Sequence, residues 1–411
     1  MIFLLLAALS AFVGIYVYVG YPLLLLLVGS IRRSRPLPQP GGSPRVTLLV
    51  SAFNEAQVMR EKIENSLALD YPAHLEIVVV SDCSTDETDA IVLSFADRGI
   101  RLVRLSERRG KSAGLNEAVA TASGELLVFS DANAFYRPDA IRRLVKPFAD
   151  PEIGCVTGEL CYIGIGECNV GIQEDLYWKY ERVLKSWESR CGSMVGSNGA
   201  IFALRRDLFE PLQAADVNDF VIPLRVVERG FRCVYAPEAV CEEHGTREYA
   251  EEFRRKVRIV NRSAYAIRSR LALLNPLRRG FFAIQLLSHK VLRWSIGLWI
   301  AVFFVATLAL ASEDPRWHLL VWAQVAFYTL ALAGHLAPGL RRRGGRIFSL
   351  PYYFCMVNVA AVRGGVSGLL GRVQITWKPE RGEHRLPSQM PPPGRDADAA
   401  VGAPSDATRE G

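Results

Sequence analysis

The sequence predicts an α/β protein with a doubly wound, mostly parallel sheet, flanked by apolar helices towards both ends of the chain. Three observations carry this. Between about residues 45 and 131, short apolar runs alternate with stretches of helical periodicity, the pattern of strands buried on both faces and covered by helices. Long apolar blocks at Met1 to Ser30, Trp294 to Ala311 and Trp317 to Ala337 approach or exceed the about 20 residues that cross a bilayer as a helix. The middle of the chain has a soluble composition, although hydrophobic residues make up 50% of its 411 positions.

The elements follow in order. Residues 1–30 form an expected transmembrane helix. Its apolar run is too long for a secretory signal, carries no small-residue cleavage site and meets Arg32-Arg33 at once, so it reads as an uncleaved anchor. Residues 31–44, rich in Pro and Gly, form a linker. A catalytic-size domain is expected over 45–270. Val46-Thr47-Leu48-Leu49-Val50 reads as a strand, Glu55 to Ala68 as a helix and Leu75 to Val80 as a second strand. Ser84-Thr85-Asp86-Glu87 offers a capping box for the next helix. Ile100 to Leu105 makes a third strand, Ser112 to Thr121 a helix and Glu125 to Ser130 a fourth strand. A β-α-β-α-β-α-β order predicts right-handed parallel crossovers.

The membrane region is expected over 271–370: an interfacial approach at about 281–293, spans at about 294–311 and 317–338, and a possible third at 347–368, interrupted by Pro351, Asn358 and Arg363. A basic segment and a disordered tail follow over 371–411. Arginines and lysines flank the spans on the side of the long middle region (Arg32, Arg33, Arg35, Arg278, Arg279, Lys290, Arg293, Arg341 to Arg343), whereas the 312–315 loop is acidic. The positive-inside rule therefore places the middle region in the cytoplasm; a bacterial plasma membrane is the expected location.

A formal net charge of +7 suits an anionic membrane face and phosphorylated substrates. No aromatic-basic surface motif indicates nucleic acid. The eight cysteines show no C-x-x-C spacing and read as small buried residues of a reducing compartment.

Strand Leu126 to Ser130 runs into Asp131-Ala132-Asn133, so a carboxylate and a carboxamide stand where an open sheet binds its ligands. Two hard oxygens there suit a divalent cation carrying phosphate; an Asx turn is the structural alternative. The first turn, Ser51 to Glu55, lacks glycine, which excludes the dinucleotide fingerprint. Gly110-Lys111-Ser112 lacks the first glycine of a P-loop, which would fall on Leu105. Instead, the first two strands end in acids, Glu55 and Asp82.

Val50-Ser51-Ala52-Phe53-Asn54-Glu55, Val80-Ser81-Asp82-Cys83-Ser84-Thr85-Asp86, Gly110 to Asn116 and Ser130 to Asn133 resemble, in order and spacing, the motifs of family 2 inverting glycosyltransferases. The layout resembles their membrane-bound, polysaccharide-synthase-like branch. The resemblance implies a GT-A fold and a metal-dependent transfer using Mg²⁺ or Mn²⁺. A nucleotide sugar, UDP-linked by expectation, would be the donor. A glycan or lipid-linked molecule would be the acceptor, with membrane lipids around both.

Carried over by position, the resemblance implies that Asp82 contacts the base, that Glu55 lies near the nucleoside and that Lys111 lies near the nucleotide. Asp131 and Asn133 match the D-x-D metal motif, with the second carboxylate lost. Gly196, Asn198 and Gly199 match the acceptor pocket. Asn218-Asp219 matches the E-D pair, so Asp219 would be the base that takes the acceptor hydroxyl's proton; a helix cap is its structural alternative. Arg255 and Arg258 occupy the Q/R-x-x-R-W motif and share a helix face suited to a diphosphate. Ile259 stands where that motif has Trp, which disfavours the alternative of a processive synthase that exports its polymer. The altered motifs leave another alternative, a non-catalytic nucleotide-binding scaffold of a polysaccharide complex.

Overall fold

A computed structural model describes residues 1–32, 42–163, 169–244, 249–343 and 345–373. Most of the expected linker and the segment from residue 374 onward, with Lys378, Arg381 and the expected disordered tail, lie outside the described residues.

Helix α1 (Ile2–Ile31) is long and apolar enough to cross a membrane. The chain then alternates β1 (Val46–Ala52), α2 (Ala56–Leu67), β2 (Leu75–Ser81), α3 (Thr88–Leu93), β3 (Ile100–Arg104), α4 (Lys111–Thr121) and β4 (Leu126–Asp131). Continuous apolar runs make these strands buried on both faces. One core layer, with Leu48, Val50, Val79 and Val128, packs under α2; the other, with Leu49, Val78, Leu127 and Phe129, packs under α4. The expected capping box does not form. Glu87 precedes α3 without a side-chain cap, and Asp86 serves instead, accepting from Thr88 N at 3.0 Å and from Ala56 N at the start of α2 at 3.1 Å.

Beyond β4 come β5 (Phe135–Tyr136), α5 (Ala140–Val145), β6 (Ile153–Ile163), α6 (Asn169–Cys191), β7 (Phe202–Arg205), α7 (Asn218–Glu228) and β8 (Arg232–His244). The eight strands form one sheet in the order β3-β2-β1-β4-β7-β6-β8-β5. Six strands run the same way; β7 and β5 oppose their neighbours. Strand β7 begins at Phe202, and the glycine-rich stretch before it, with Gly196, Asn198 and Gly199, is a loop. Phe129 and Phe202 stack at 4.5 Å across the antiparallel β4–β7 pair and tie the two halves of the sheet.

Helix α8 (Tyr249–Arg268) leaves the sheet. It is followed by α9 (Phe281–Glu313) and α10 (Pro315–Leu336), both long and apolar enough to cross a membrane. The run Phe281 to Arg293, expected as a separate interfacial approach, is instead continuous with the span through a π-helical turn at Leu287–Leu292. Its polar residues meet α6 rather than lipid headgroups: His289 Nδ1 lies 2.7 Å from Glu188 Oε1, and His289 Nε2 lies 3.2 Å from Glu181 Oε2.

The last described helix, α11 (Arg346–Leu369), is not among the helices apolar enough to span. Near its start Tyr352 packs on Tyr249 of α8 at 5.1 Å, and near its end Gly364 and Gly368 press on Val257 to Ala264 of α8. Both ends therefore rest on one helix of the sheet-bearing part. Its middle also packs on the two preceding helices: Phe354 lies 5.8 Å from Phe327 of α10, and a Cβ on Gly297 of α9 would press on Val362.

Candidate functional site

Parallel strands deliver their carboxyl ends to one edge of a sheet, and the predicted acids converge there. Asp131 closes β4, pairing in register with Ser51 of β1. Its Oδ1 accepts from Lys111 Nζ at 2.6 Å, at the first turn of α4. Both side chains are about one third exposed, so the pair itself contributes no more than about 1 kcal/mol. Two residues on, Asn133 Nδ2 donates to Glu243 Oε1 at 2.5 Å, joining the β4–β5 turn to the end of β8. Beneath this turn lies Lys62 of α2, 1% exposed, whose Nζ donates to Ser130 Oγ at 2.9 Å and to the Ala134 carbonyl.

Asp82 ends β2 at 8% exposure. Its Oδ1 accepts from the amides of Arg109 and Gly110, both at 2.9 Å, and its Oδ2 accepts from Gly110 at 3.0 Å. The carboxylate thus organises the loop that starts α4. The Arg108 guanidinium lies 3.8 Å from the centroid of the Phe53 ring, a flat cationic-aromatic platform beside Asp82. Cys83, just after Asp82, holds φ +58°, a left-handed turn that aims the chain away from the strand. Glu55, 6% exposed, precedes α2, and its amide donates to Thr88 Oγ1 at 2.8 Å.

Asp219 lies in the first turn of α7, but it is not a cap: Val217 holds the cap position, with no side-chain hydrogen bond. Its Oδ1 is buried without a hydrogen-bond partner among the described residues. Burial raises its pKa above the usual carboxylate value, and the Asp131 charge acts in the same direction, while Lys111 and Arg262 pull it back. The loop ahead of β7 wraps this residue. Ser197 N and Oγ donate to the Asp219 carbonyl at 2.7 and 2.9 Å, and Asn198 N donates to Thr157 Oγ1 at 2.9 Å. A Cβ placed on Gly199 would stand 3.0 Å from Asp219 Oδ2, so glycine is what lets the loop approach.

From above, α8 contributes its arginines. Burial lowers the pKa of Arg258 to about 10; its neighbours Arg262 and Arg255 add to this, and the charges of Asp131 and Asp219 oppose it. Arg258 thus shares a field with both acids. Arg255 Nε donates to Glu252 Oε2 at 2.6 Å and NH1 donates to Tyr162 at 3.2 Å. Arg262 donates to the carbonyls of Ala214, Ala215 and Asp216 and fixes the segment leading into α7. Ile259 is 39% exposed.

The structure therefore gathers Lys111, Asp131, Asp219 and Arg258 in one electrostatic cluster, with Gly199 and Ser197 around Asp219 and Asn133 on the turn beyond Asp131. Asp82 and Glu55 stand on the neighbouring strand ends. Sequence reasoning missed Lys62, Arg108, Arg262 and Glu243. Lys62 lies two helix turns past Glu55 and Arg108 two residues before Gly110; the last two are joined to the site only by tertiary contact.

Among the described residues, no three His, Cys, Asp or Glu side chains form a metal cage. Asp131 and Asn133 nonetheless offer hard oxygens at a strand end beside the cationic groups. That donor set fits a cation held mainly by substrate phosphates and water.

Comparison with known proteins bears on the family and the fold. Residues 47–212 match the family model described as glycosyl transferase family 2. The chain is 27% identical over 252 residues to the probable glycosyltransferase YdaM of Bacillus subtilis, covering 57% of this chain and 59% of that protein. It is 25% identical over 202 residues to the poly-beta-1,6-N-acetyl-D-glucosamine synthase of Staphylococcus aureus strain COL, covering 48% and 49%. The chain thus spans about half the length of these curated relatives. Among solved structures it is similar to the mannosyltransferase PcManGT from Pyrobaculum calidifontis, in complex with GDP-Man and Mn²⁺. That similarity has a TM-score of 0.65 and 25% identity and covers 89% of this chain and 99% of the other.

Proposed function

We propose, from the match of residues 47–212 to the glycosyl transferase family 2 model, that the chain is a membrane-integral inverting enzyme of that family. It moves a sugar from a nucleotide-sugar donor to a glycan or lipid-linked acceptor at the cytoplasmic face, in the synthesis of a surface polysaccharide or glycolipid. The observation that carries the reading is the Asp219 carboxylate, buried, with an unpartnered oxygen, in one cluster with Lys111, Asp131 and Arg258.

Asp219 is the base. It takes the proton of the acceptor hydroxyl as that oxygen bonds to the anomeric carbon, and the bond from that carbon to the diphosphate breaks with its electron pair on the leaving group. Arg258, Arg255 and Lys111 face the charge that grows there. Asp131 and Asn133 would hold Mg²⁺ or Mn²⁺, which when bound would supply positive charge to the leaving diphosphate. Asp82 and Glu55 flank the nucleoside. Gly196, Asn198 and Gly199 shape the acceptor's approach to Asp219.

A uridine donor is supported by the resemblance at Asp82, and a guanosine donor by the solved mannosyltransferase with GDP-Man; the sugar is a hexose or an N-acetylhexosamine. Similarity to poly-beta-1,6-N-acetyl-D-glucosamine synthases favours a processive second reading, and Ile259 in place of Trp opposes it. Full-length protein in detergent, offered UDP- and GDP-linked sugars with each metal and scored for nucleotide release and product length, tests both. Release and single-sugar products are expected. Long products would establish the processive enzyme, and inertness towards every donor would leave only a scaffold.

A further inference from the structure

Asn133 departs from the D-x-D pattern by one carboxylate, and Glu243 stands at contact distance from it. The β5–β8 ladder pairs Phe135 with Glu242 and Tyr136 with Cys241, so the turn before β5 runs alongside the end of β8. There Asn133 Nδ2 meets Glu243 Oε1 at 2.5 Å. An ionised carboxylate only accepts hydrogen bonds, so it can face the nitrogen of a carboxamide and not its oxygen. Facing Glu243 with nitrogen turns Oδ1 of Asn133 the other way.

We propose that Glu243 is the positioning residue of the metal site: it selects the amide flip of Asn133 that presents Oδ1 to the cation, and it restores the carboxylate that the motif lacks. This rests on the metal reading above. An Asp at position 133 would set two carboxylates at contact, where like charges cannot both ionise freely. Asn133 and Glu243 are therefore a matched pair. Asp131 and Glu243 keep the two negative charges that a D-x-D motif carries, with the second moved from the turn to β8. Glutamine at 243 can accept or donate, so it neither fixes the flip nor supplies the charge.

Mn²⁺ affinity in the presence of UDP or GDP, read by electron paramagnetic resonance of the free ion, tests this without turnover. Glu243→Gln is expected to weaken Mn²⁺ binding about tenfold, the lower end for residues that orient a metal ligand. Asn133→Asp, although it completes the motif, is expected to weaken it as well. The double variant Asn133→Asp/Glu243→Gln is expected to return to within about threefold of wild type, because the repulsion is gone and one carboxylate of the pair remains beside Asp131. Tighter binding by Asn133→Asp alone, or unchanged affinity in Glu243→Gln, would overturn the proposal while leaving the metal reading intact. Wild-type protein that transfers sugar yet binds no Mn²⁺ with either nucleotide would remove the metal reading and this pair with it. Thermal unfolding of each variant separates loss of fold from loss of site.

Discussion

Lys62 Nζ lies 2.9 Å from Ser130 Oγ, across 68 residues of chain, and also donates to the Ala134 carbonyl. A buried ammonium thus holds both sides of the turn that carries Asp131 and Asn133, with the Tyr136 ring 4.4 Å away. Burial lowers its pKa from 10.5 to about 7. Between those values the unfolded chain binds the proton more firmly than the folded one, so the stability linked to Lys62 grows as pH rises from about 7. Lys62→Met removes that titration. The wild-type melting temperature should gain on the variant's between about pH 7 and pH 9, and the variant should bind Mn²⁺ more weakly. A difference independent of pH would mean the amine is not titrating in the fold.

Asp219→Asn keeps the side chain's shape and removes its basicity. Transfer should fall about 10²- to 10⁴-fold, the contribution of a positioned base, with donor affinity retained. Because burial raises the Asp219 pKa, wild-type activity should fall on the acid side at a higher pH than an ordinary carboxylate would give. Full activity in the variant would remove Asp219 from the mechanism.

Gly199→Ala is a finer probe of the same residue. Its Cβ would stand 3.0 Å from Asp219 Oδ2 and 3.4 Å from Cγ, so the carboxylate must give way by a few tenths of an ångström. Displacements near 1 Å cost about 10²-fold; roughly a tenfold loss of kcat, with an unchanged melting temperature, is expected here. An unaffected kcat would show that the loop does not set the position of Asp219.

The parallel half of this fold was legible because β1, β2 and β4 are continuous apolar runs and the helices between them are periodic. The second half was not. β6 is interrupted by Gly154 and Gly158, and β8 carries Pro237 and has Glu242 and Glu243 near its end, so neither shows the signature of a buried strand. Pairing with each other makes them strands. Asp131 and Asp219 carry a signal in motif order, since one closes its strand and the other stands in the first turn of its helix. The contact of Glu243 with Asn133, 110 residues apart, has no spacing signal at all. The polar residues of α9 misled in the other direction: His289 reads as an interfacial residue, but it is 2% exposed between Glu181 and Glu188.

The small-residue face of α11 sets the height of the arginine helix. A Cβ on Gly364 would meet the Val257 carbonyl oxygen at 2.5 Å, and one on Gly368 would meet that of Asn261 more closely still. These are backbone atoms of α8, which cannot swing aside as a side chain can. Gly368→Ala should therefore cost about 1–3 kcal/mol, as overpacking does, and should raise KM for the donor because Arg255 and Arg258 move with α8. A stability loss without a change in KM would limit α11 to a structural role.

The junction between the first helix and the sheet-bearing part rests on Glu188, whose side chain is fully buried. It accepts from Tyr21 of α1, faces His289 of α9 at 2.7 Å and accepts from Val195 N at 3.1 Å through its second oxygen. Two turns of α6 away, Glu181 pairs with His289 and Arg293. Three elements thus share one polar core, and each donor in it was desolvated on the expectation of a carboxylate. Removing one partner of such a set leaves the others buried and unsatisfied, at about 3–5 kcal/mol. Glu188→Ala should lower the melting temperature in detergent by far more than Glu313→Ala, at the exposed end of α9. Glu188→Leu, which refills the volume but not the hydrogen bonds, should not rescue it. Equal melting temperatures for the two alanine variants would show that apolar packing of Leu25, Leu184 and Trp187 around the junction, and not the polar set, joins the helices to the sheet.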